Sequence, residues 1–193
     1  MSRRPKVVGL GGTVRPGSST EKALAVALNA VEAAGGETIL LGGAFLASLP
    51  IYNPGSGGPT SAQQELARII AEADGIIIAT PGYHGSLSGV MKNALDTLES
   101  LSGDARPYFT DRAVGTIVTA QGAQAGGTTL MALRSIIHAM RGWPTPFGAA
   151  LNTNADTFDA AGEPTDPKDT WQLVTVGQQV LEFAKMRLAA GDK

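Results

Sequence analysis

Short unbroken apolar runs alternate along this chain with longer stretches in which apolar residues return every three or four positions. That alternation is expected of buried parallel strands joined by amphipathic helices. Lys6 to Leu10 is the first run, bounded by Pro5 and by glycines. Ser18 with Glu21 three residues on has the capping-box pattern. Ala23, Leu24, Ala27, Leu28 and Val31 then recur at helical spacing until Gly35-Gly36. Thr38 to Leu41 reads as a second strand, and Gly42 to Pro59 as a long turn-rich loop. Ser61 with Gln64 caps the next helix, which runs through Leu66, Ile69 and Ile70, and Ile76 to Ala79 is a third strand. Ser88 caps a helix carrying Val90, Met91, Ala94, Leu95 and Leu98, followed by a fourth strand from Ala113 to Val118. Beyond a glycine-rich loop, Thr128 to Met140 is helical, Pro146 to Leu151 is a fifth strand, and Asn152 to Asp169 is a polar linker. A last helix spans about Thr170 to Leu188, with Leu173, Val174, Val180, Leu181 and Ala184 as its stripe.

Five strands alternating with five helices predict an α/β, five-stranded parallel sheet with helices on both faces. The doubly wound order 2-1-3-4-5 is the one chosen for it. The 193 residues, 43% of them hydrophobic, suit a single domain over 1–193. In such a sheet a ligand sits beyond the C-terminal strand ends at the switch point, where the loops after the first, third and fourth strands meet. A formal net charge of -2 without a long basic run argues against a nucleic-acid surface. The absence of cysteine excludes disulfides and thiolate chemistry, and is neutral on compartment. The basic start, Arg3-Arg4-Pro5-Lys6, precedes too short an apolar run for a secretory signal or a membrane span, so the expectation is a cytoplasmic protein with no membrane partner.

The first loop, Gly9 to Thr20, joins a strand to a capped helix through glycines, hydroxyls and one arginine. Gly12 and Gly17 have the Walker spacing, but Ser18 stands where the lysine belongs. Gly9 and Gly11 match two glycines of the dinucleotide fingerprint, but Val14 occupies the third position and no acid ends the second strand. What remains is a dianionic monophosphate held by Thr13, Arg15, Ser18, Ser19 and Thr20 around Gly17, the end group of FMN. A hydroxyl-rich helix cap with an exposed arginine accounts for the same residues. In the second loop, Pro81 fixes a turn, Gly82 and Gly85 let a flat ligand approach the backbone, and Tyr83, His84 and Ser86 add polar tips. In the third, Gln121-Gly122 and Gly126-Gly127 can bring donors to the edge of the same ring.

These segments carry a resemblance. Gly12-Thr13-Val14-Arg15-Pro16-Gly17-Ser18-Ser19-Thr20 is similar to the Gly-Ser-Leu-Arg-x-x-Ser-x-Asn phosphate loop of the NADPH-dependent FMN reductase family. Thr80 to Ser86 and Ser88 to Asp96 resemble that family's Pro-Glu-Tyr-Asn-Gly-Ser and Ser/Pro-Gly-x-x-Lys-Asn-x-x-Asp segments. The resemblance implies a flavodoxin-like fold, FMN as cofactor and NADPH or NADH as co-substrate. Thr13, Arg15, Ser18 and Thr20 would bind the phosphate, and Pro81 to Ser86 would line the isoalloxazine. It also implies a homodimer or homotetramer, built in part on the apolar helix Val90 to Leu98 and the loop Gly42 to Pro59. A small-molecule electron acceptor is expected, such as free flavin, a quinone or an azo compound, and a flavin-dependent monooxygenase as a possible protein partner. Gly82 and His84 depart from the family's glutamate and asparagine, and Thr13 and Thr20 from its serine and asparagine.

Among competing readings, a hydrolase would draw on Ser86, Ser88, His84 and His138, but no Gly-x-Ser-x-Gly elbow is present, and His138 shares a helical stripe with Arg134 and Arg141. Two distant histidines make a poor metal site. A non-enzymatic FMN electron carrier of flavodoxin type would build the same phosphate loop, although the modest net charge does not suit docking to basic partners.

Overall fold

The computed structural model describes residues 3–55 and 57–191. Its strands are β1 (Lys6–Gly11), β2 (Glu37–Leu41), β3 (Gly75–Pro81), β4 (Ala113–Ala120), β5 (Trp143–Pro144) and β6 (Ala149–Asn152). Its α-helices are α1 (Ser19–Ala33), α2 (Gly43–Ser48), α3 (Ser61–Glu72), α4 (Gly89–Thr97), α5 (Ala123–Ala139) and α6 (Pro167–Gly191), with a 3₁₀ turn at Leu98–Leu101. The order is β2-β1-β3-β4-β5, with β6 also paired to β4, and every ladder is parallel. The expected doubly wound order is the one observed, with β6 as an addition.

The fifth strand differs from its expected form. Prolines at 144 and 146 lack the N–H that a ladder needs, so the run divides. β5 pairs with Ala113 and Val114, β6 pairs with Ile117 to Ala120, and Pro146 lies in the connection rather than at a strand start. Thr145 bridges the break by donating its N–H to Val114 O at 3.1 Å. Four further expectations shift. The 42–59 loop contains α2, α5 begins at Ala123 and so takes in Gly126 and Gly127, and α6 starts on Pro167, a favourable first helical residue. The α3 capping box is Thr60 with Gln63 rather than Ser61 with Gln64, because Thr60 Oγ1 accepts the Gln63 N–H while Gln63 Oε1 accepts the Thr60 N–H.

The central strands are buried on both faces, and Ile76, Ile77 and Ile78 are fully inaccessible. Burying each such side chain contributes about 1.5–3 kcal/mol. One cluster packs α3, α4 and α5 on one face through Leu66, Ile70, Met91, Leu95, Leu133 and Ile137. The other packs α1 and α6 through Leu24, Leu28, Leu173, Val176 and Val180. Met91, Ala94, Leu95 and Leu98 are therefore used in the chain's own core, and α4 presents a Lys92–Asp96 ion pair at its surface instead of an apolar face. Asn93 ties the 42–59 loop to α4, accepting the Tyr52 N–H at 2.8 Å and donating to Pro50 O at 3.0 Å.

Arg112 is fully buried at the N-terminal end of the sheet, where its guanidinium donates to Ala73 O at 2.8 Å, Tyr108 O at 2.9 Å, Thr110 O at 3.3 Å and also to Ala71 O. It ties the end of α3 to the turn before β4. Burial, with a smaller contribution from the positive charge of Arg106, pushes its pKa down to about 10.

Candidate functional site: a cation-lined cleft at the strand ends

β1, β3 and β4 all end at one edge of the sheet, and a cleft of about 970 Å³ opens there between the loops that follow them. This is the switch point of the topology, where β1 and β3 send their chains to opposite faces.

One end of the cleft is built by the first loop and the start of α1. Ser18 is the N-cap, and its Oγ accepts the Glu21 N–H at 3.3 Å. The reciprocal half of the expected box is missing, since the Glu21 carboxylate turns the other way and accepts the Gly43 N–H at 2.9 Å. This diversion joins the first loop to α2. A Cβ built on Gly43 would lie 1.8 Å from Thr13 O, so only glycine allows this approach. Thr13 Oγ1 accepts the Arg15 N–H at 3.1 Å, a turn that holds the loop's backbone. Arg15 itself is exposed, and its guanidinium has no partner among the described residues. Lys22, one turn into α1, places its Nζ 6.0 Å from the centre of the Phe158 ring.

The lining includes two cations, Arg15 and Lys22, and no carboxylate. Unpaired N–H groups at the helix start, the dipole behind them and these charges are the features that suit an anion.

The other end is shaped by residues 80–88. Thr80 is fully buried and fixes both ends of that loop: its Oγ1 donates to Pro81 O at 3.2 Å and accepts the Ser88 N–H at 3.0 Å. Between them, Tyr83 to Ser86 form a tight turn closed by Ser86 N–H to Tyr83 O at 3.0 Å. His84 and Gly85 have φ of 51° and 81°, the signature of a type I′ turn. Histidine and asparagine are both enriched in the left-handed region, so His84 in place of asparagine keeps the turn. Tyr83 is 55% exposed and stands at the cleft mouth. Gly82 packs against α5 and the end of β4, where an added Cβ would lie 3.1 Å from Thr129 Oγ1 and 3.0 Å from Ala120 Cβ.

Of the residues expected from sequence, Thr13, Arg15, Gly17, Ser18, Ser19, Thr20, Pro81, Gly82, Tyr83, His84 and Gln121 line the cleft. Gly85, Ser86 and Gly122 do not. Two of the expected glycines use their backbone donors within the protein: Gly82 N–H goes to Thr119 O at 2.8 Å and Gly122 N–H to Asn152 Oδ1 at 2.8 Å. Gly126 and Gly127 are inside α5 rather than in a loop. Ser88, a nucleophile in the hydrolase reading, is buried as the N-cap of α4.

Sequence reasoning missed Lys22, Thr119, Thr153 and Asn154. The first two carried a signal: a cation in the first turn of a helix that follows an anion-binding loop, and a hydroxyl at the end of β4. Thr153 and Asn154 carried none, because they reach the cleft only through the pairing of β6 with β4.

The arrangement suits an elongated ligand that is anionic at one end and flat at the other. FMN meets both requirements, and the donor set at the anionic end fits its phosphate.

Over residues 5–156 the sequence matches the family model described as NADPH-dependent FMN reductase. An NAD(P)H-dependent FMN reductase of Pseudomonas aeruginosa is 37% identical over 99 residues, 50% of this chain and 51% of that protein. An NADPH azoreductase of a Bacillus species is 32% identical over 88 residues, 45% of this chain and 46% of that protein. The aligned part of the chain thus spans about half the length of the curated relatives it matches. Among solved structures, the flavoenzyme NAD(P)H:(acceptor) oxidoreductase FerB from Paracoccus denitrificans superposes with a TM-score of 0.75 at 22% identity, covering 94% of this chain and 98% of that one. That likeness is one of fold, and it agrees with the flavodoxin-like order of the sheet. With the family model matched across most of its length, and the phosphate-loop and ring-loop segments facing one cleft, the chain belongs to the NADPH-dependent FMN reductase family.

Proposed function

We propose that this protein is an FMN-dependent NAD(P)H oxidoreductase that passes reducing equivalents to a small-molecule acceptor such as free flavin, a quinone or an azo compound. The observation that carries the reading is the carboxylate-free, two-cation end of the cleft at the start of α1, facing a tight aromatic-bearing turn. FMN, when bound, supplies the hydride chemistry, so the chain needs no acid or base of its own.

The protein's contribution is binding, orientation and electrostatics. Ser18, Ser19, Thr20 and Thr13, with the adjoining N–H groups, hold the phosphate, while Arg15 and Lys22 neutralise it. Pro81 to His84 line the ring site, together with Gln121, Thr153 and Asn154. The N–H group of His84, which lines the cleft and is not used in the turn's own hydrogen bond, is the backbone donor that remains for negative charge on the ring. Tyr83, exposed at the mouth, is positioned to meet the incoming nicotinamide or acceptor.

Purified protein mixed with FMN and separated from excess should keep a flavin spectrum, and anaerobic NADPH should bleach it within the dead time or seconds of a stopped-flow trace. Protein that stays colourless, or bound FMN that NADPH leaves oxidised for minutes, overturns the proposal. The second result would leave the electron-carrier reading in its place. A comparison of NADPH with NADH, and then of acceptors, ranks the substrates.

A further inference from the structure

The floor of the cleft carries a hydrogen bond between two distant parts of the chain. Thr20 Oγ1, in the first turn of α1, and Thr119 Oγ1, near the end of β4, lie 2.6 Å apart. The side chains are almost wholly buried, at 2% and 4% exposure, and both residues line the cleft. That separation is typical of a well-formed O–H···O bond.

A proton count fixes what the pair offers. Each hydroxyl has one proton to donate and two lone pairs to accept with. The bond between them uses one of the two protons, and neither hydroxyl has a further partner among the described residues. One O–H is therefore left over, on whichever oxygen accepts, in a cleft whose lining holds no carboxylate to receive it. A phosphate accepts and, when dianionic, does not donate, so it orients the pair in one direction. At the start of α1 the nearer hydroxyl belongs to Thr20.

We infer that Thr119 is a positioning residue for the anionic group, acting through Thr20. Thr119 donates to Thr20, and Thr20 donates its own proton to the phosphate. The donation from Thr119 holds the Thr20 rotamer and polarises its O–H, since hydrogen bonds in a chain strengthen one another in a poorly solvated site. The inference rests on the FMN reading. It explains why threonine serves where the resembled family has asparagine: the hydroxyl gains from β4 the orientation that a planar amide would find for itself.

The test compares FMN with riboflavin, which lacks the phosphate, by quenching of flavin fluorescence. Thr119→Val keeps the β-branched shape and removes the hydroxyl. It should weaken FMN binding about five- to twentyfold while changing riboflavin binding less than about twofold. Thr119→Ser should recover most of the loss. The double variant Thr20→Val/Thr119→Val should bind FMN no more weakly than Thr20→Val alone, because the two hydroxyls act as one unit. Equal losses for both flavins, additive losses in the double variant, or unchanged FMN affinity each overturn the role. If the wild-type protein itself binds FMN no better than riboflavin, the phosphate site falls together with this inference. A wild-type preference that Thr119→Val retains removes this inference alone. Melting followed by circular dichroism checks the fold, and Thr119→Ala carries the same comparison if the valine variant does not fold.

Discussion

Gly43→Ala isolates the contact that joins the first loop to α2. Gly43 has an ordinary helical backbone, so the cost of a side chain there comes from space and not from dihedral strain. The new Cβ would stand 1.8 Å from Thr13 O and 2.8 Å from Thr13 C, both main-chain atoms that no rotamer change can move. Restoring even a tight 3.0 Å contact requires the loop and α2 to part by about 1.2 Å. Overpacking of this kind costs about 1–3 kcal/mol. Strain on the Glu21 carboxylate to Gly43 N–H bond adds to it, since a charge-assisted bond is worth about 1.5–3 kcal/mol. Taking the two together at about 3 kcal/mol, and with each kcal/mol moving the melting temperature of a chain of 193 residues by about 2–4 °C, a fall of about 6–12 °C is expected. The displaced loop also loses its grip on phosphate. Wild-type protein should gain about 2.7 kcal/mol from FMN at a hundred times its dissociation constant, and Gly43→Ala should gain visibly less at the same concentration. Thermal melting with and without FMN measures both effects. Gly89→Ala is the control: it is the first residue of α4 with open space around its Cβ, and it should stabilise by about 0.4–1 kcal/mol. If Gly43→Ala melts with the wild type and keeps the full FMN shift, the loop is not held by this contact.

Other consequences can be measured separately. Arg15→Ala and Lys22→Ala should each weaken FMN about fivefold at low ionic strength, with the loss shrinking in 0.5 M salt as screening takes over; a salt-independent loss would mean that neither charge acts on the phosphate. Arg112→Met should lower stability by about 2–4 kcal/mol in urea denaturation, because the carbonyls of Ala71, Ala73 and Tyr108 lose a buried donor; wild-type stability would show that these groups find other partners. Hydrogen bonds from Lys6 and then Arg68 hold the Glu72 carboxyl below its ordinary value of 4.5, and Arg68 does the same for Glu65. With folded-state pKa values depressed, their contribution is present above pH 4.5 and is lost as pH falls through the folded values. Arg68→Ala should therefore flatten the decline in melting temperature on acidification below about pH 4.5, and an unchanged slope would remove the cluster from acid stability.

The alternation of runs such as Ile76-Ile77-Ile78 with 3.6-period helices is a local property of the chain, and it led directly to a parallel sheet with helices on both faces. The anion-binding chemistry of the first loop was legible for the same reason, since a strand, glycines, hydroxyls and a capped helix follow one another within residues 9–20. Thr13, Arg15 and Ser18 to Thr20 face the cleft because one connection places them there. The ring loop was legible as a turn, and the left-handed His84 and Gly85 match its composition.

What sequence could not decide depends on contacts between segments far apart in the chain. Glu21 is in the right position for a capping box, yet α2 offers it the Gly43 N–H and it bonds there. The glycines at 82 and 122 have free N–H groups in sequence terms, and β4 and Asn152 use them. Met91 and Leu95 make an apolar stripe whose partner could have been another subunit, and the chain's own core takes it. Thr119 meets Thr20 across 99 residues only because β4 ends beside the start of α1. The central strands, the helices between them and the chemistry of the first loop were set by local sequence, since those follow from periodicity and neighbouring residues. Which donors stay free, which faces stay exposed and which hydroxyls meet were decided by tertiary packing, because each depends on a partner that local sequence does not name.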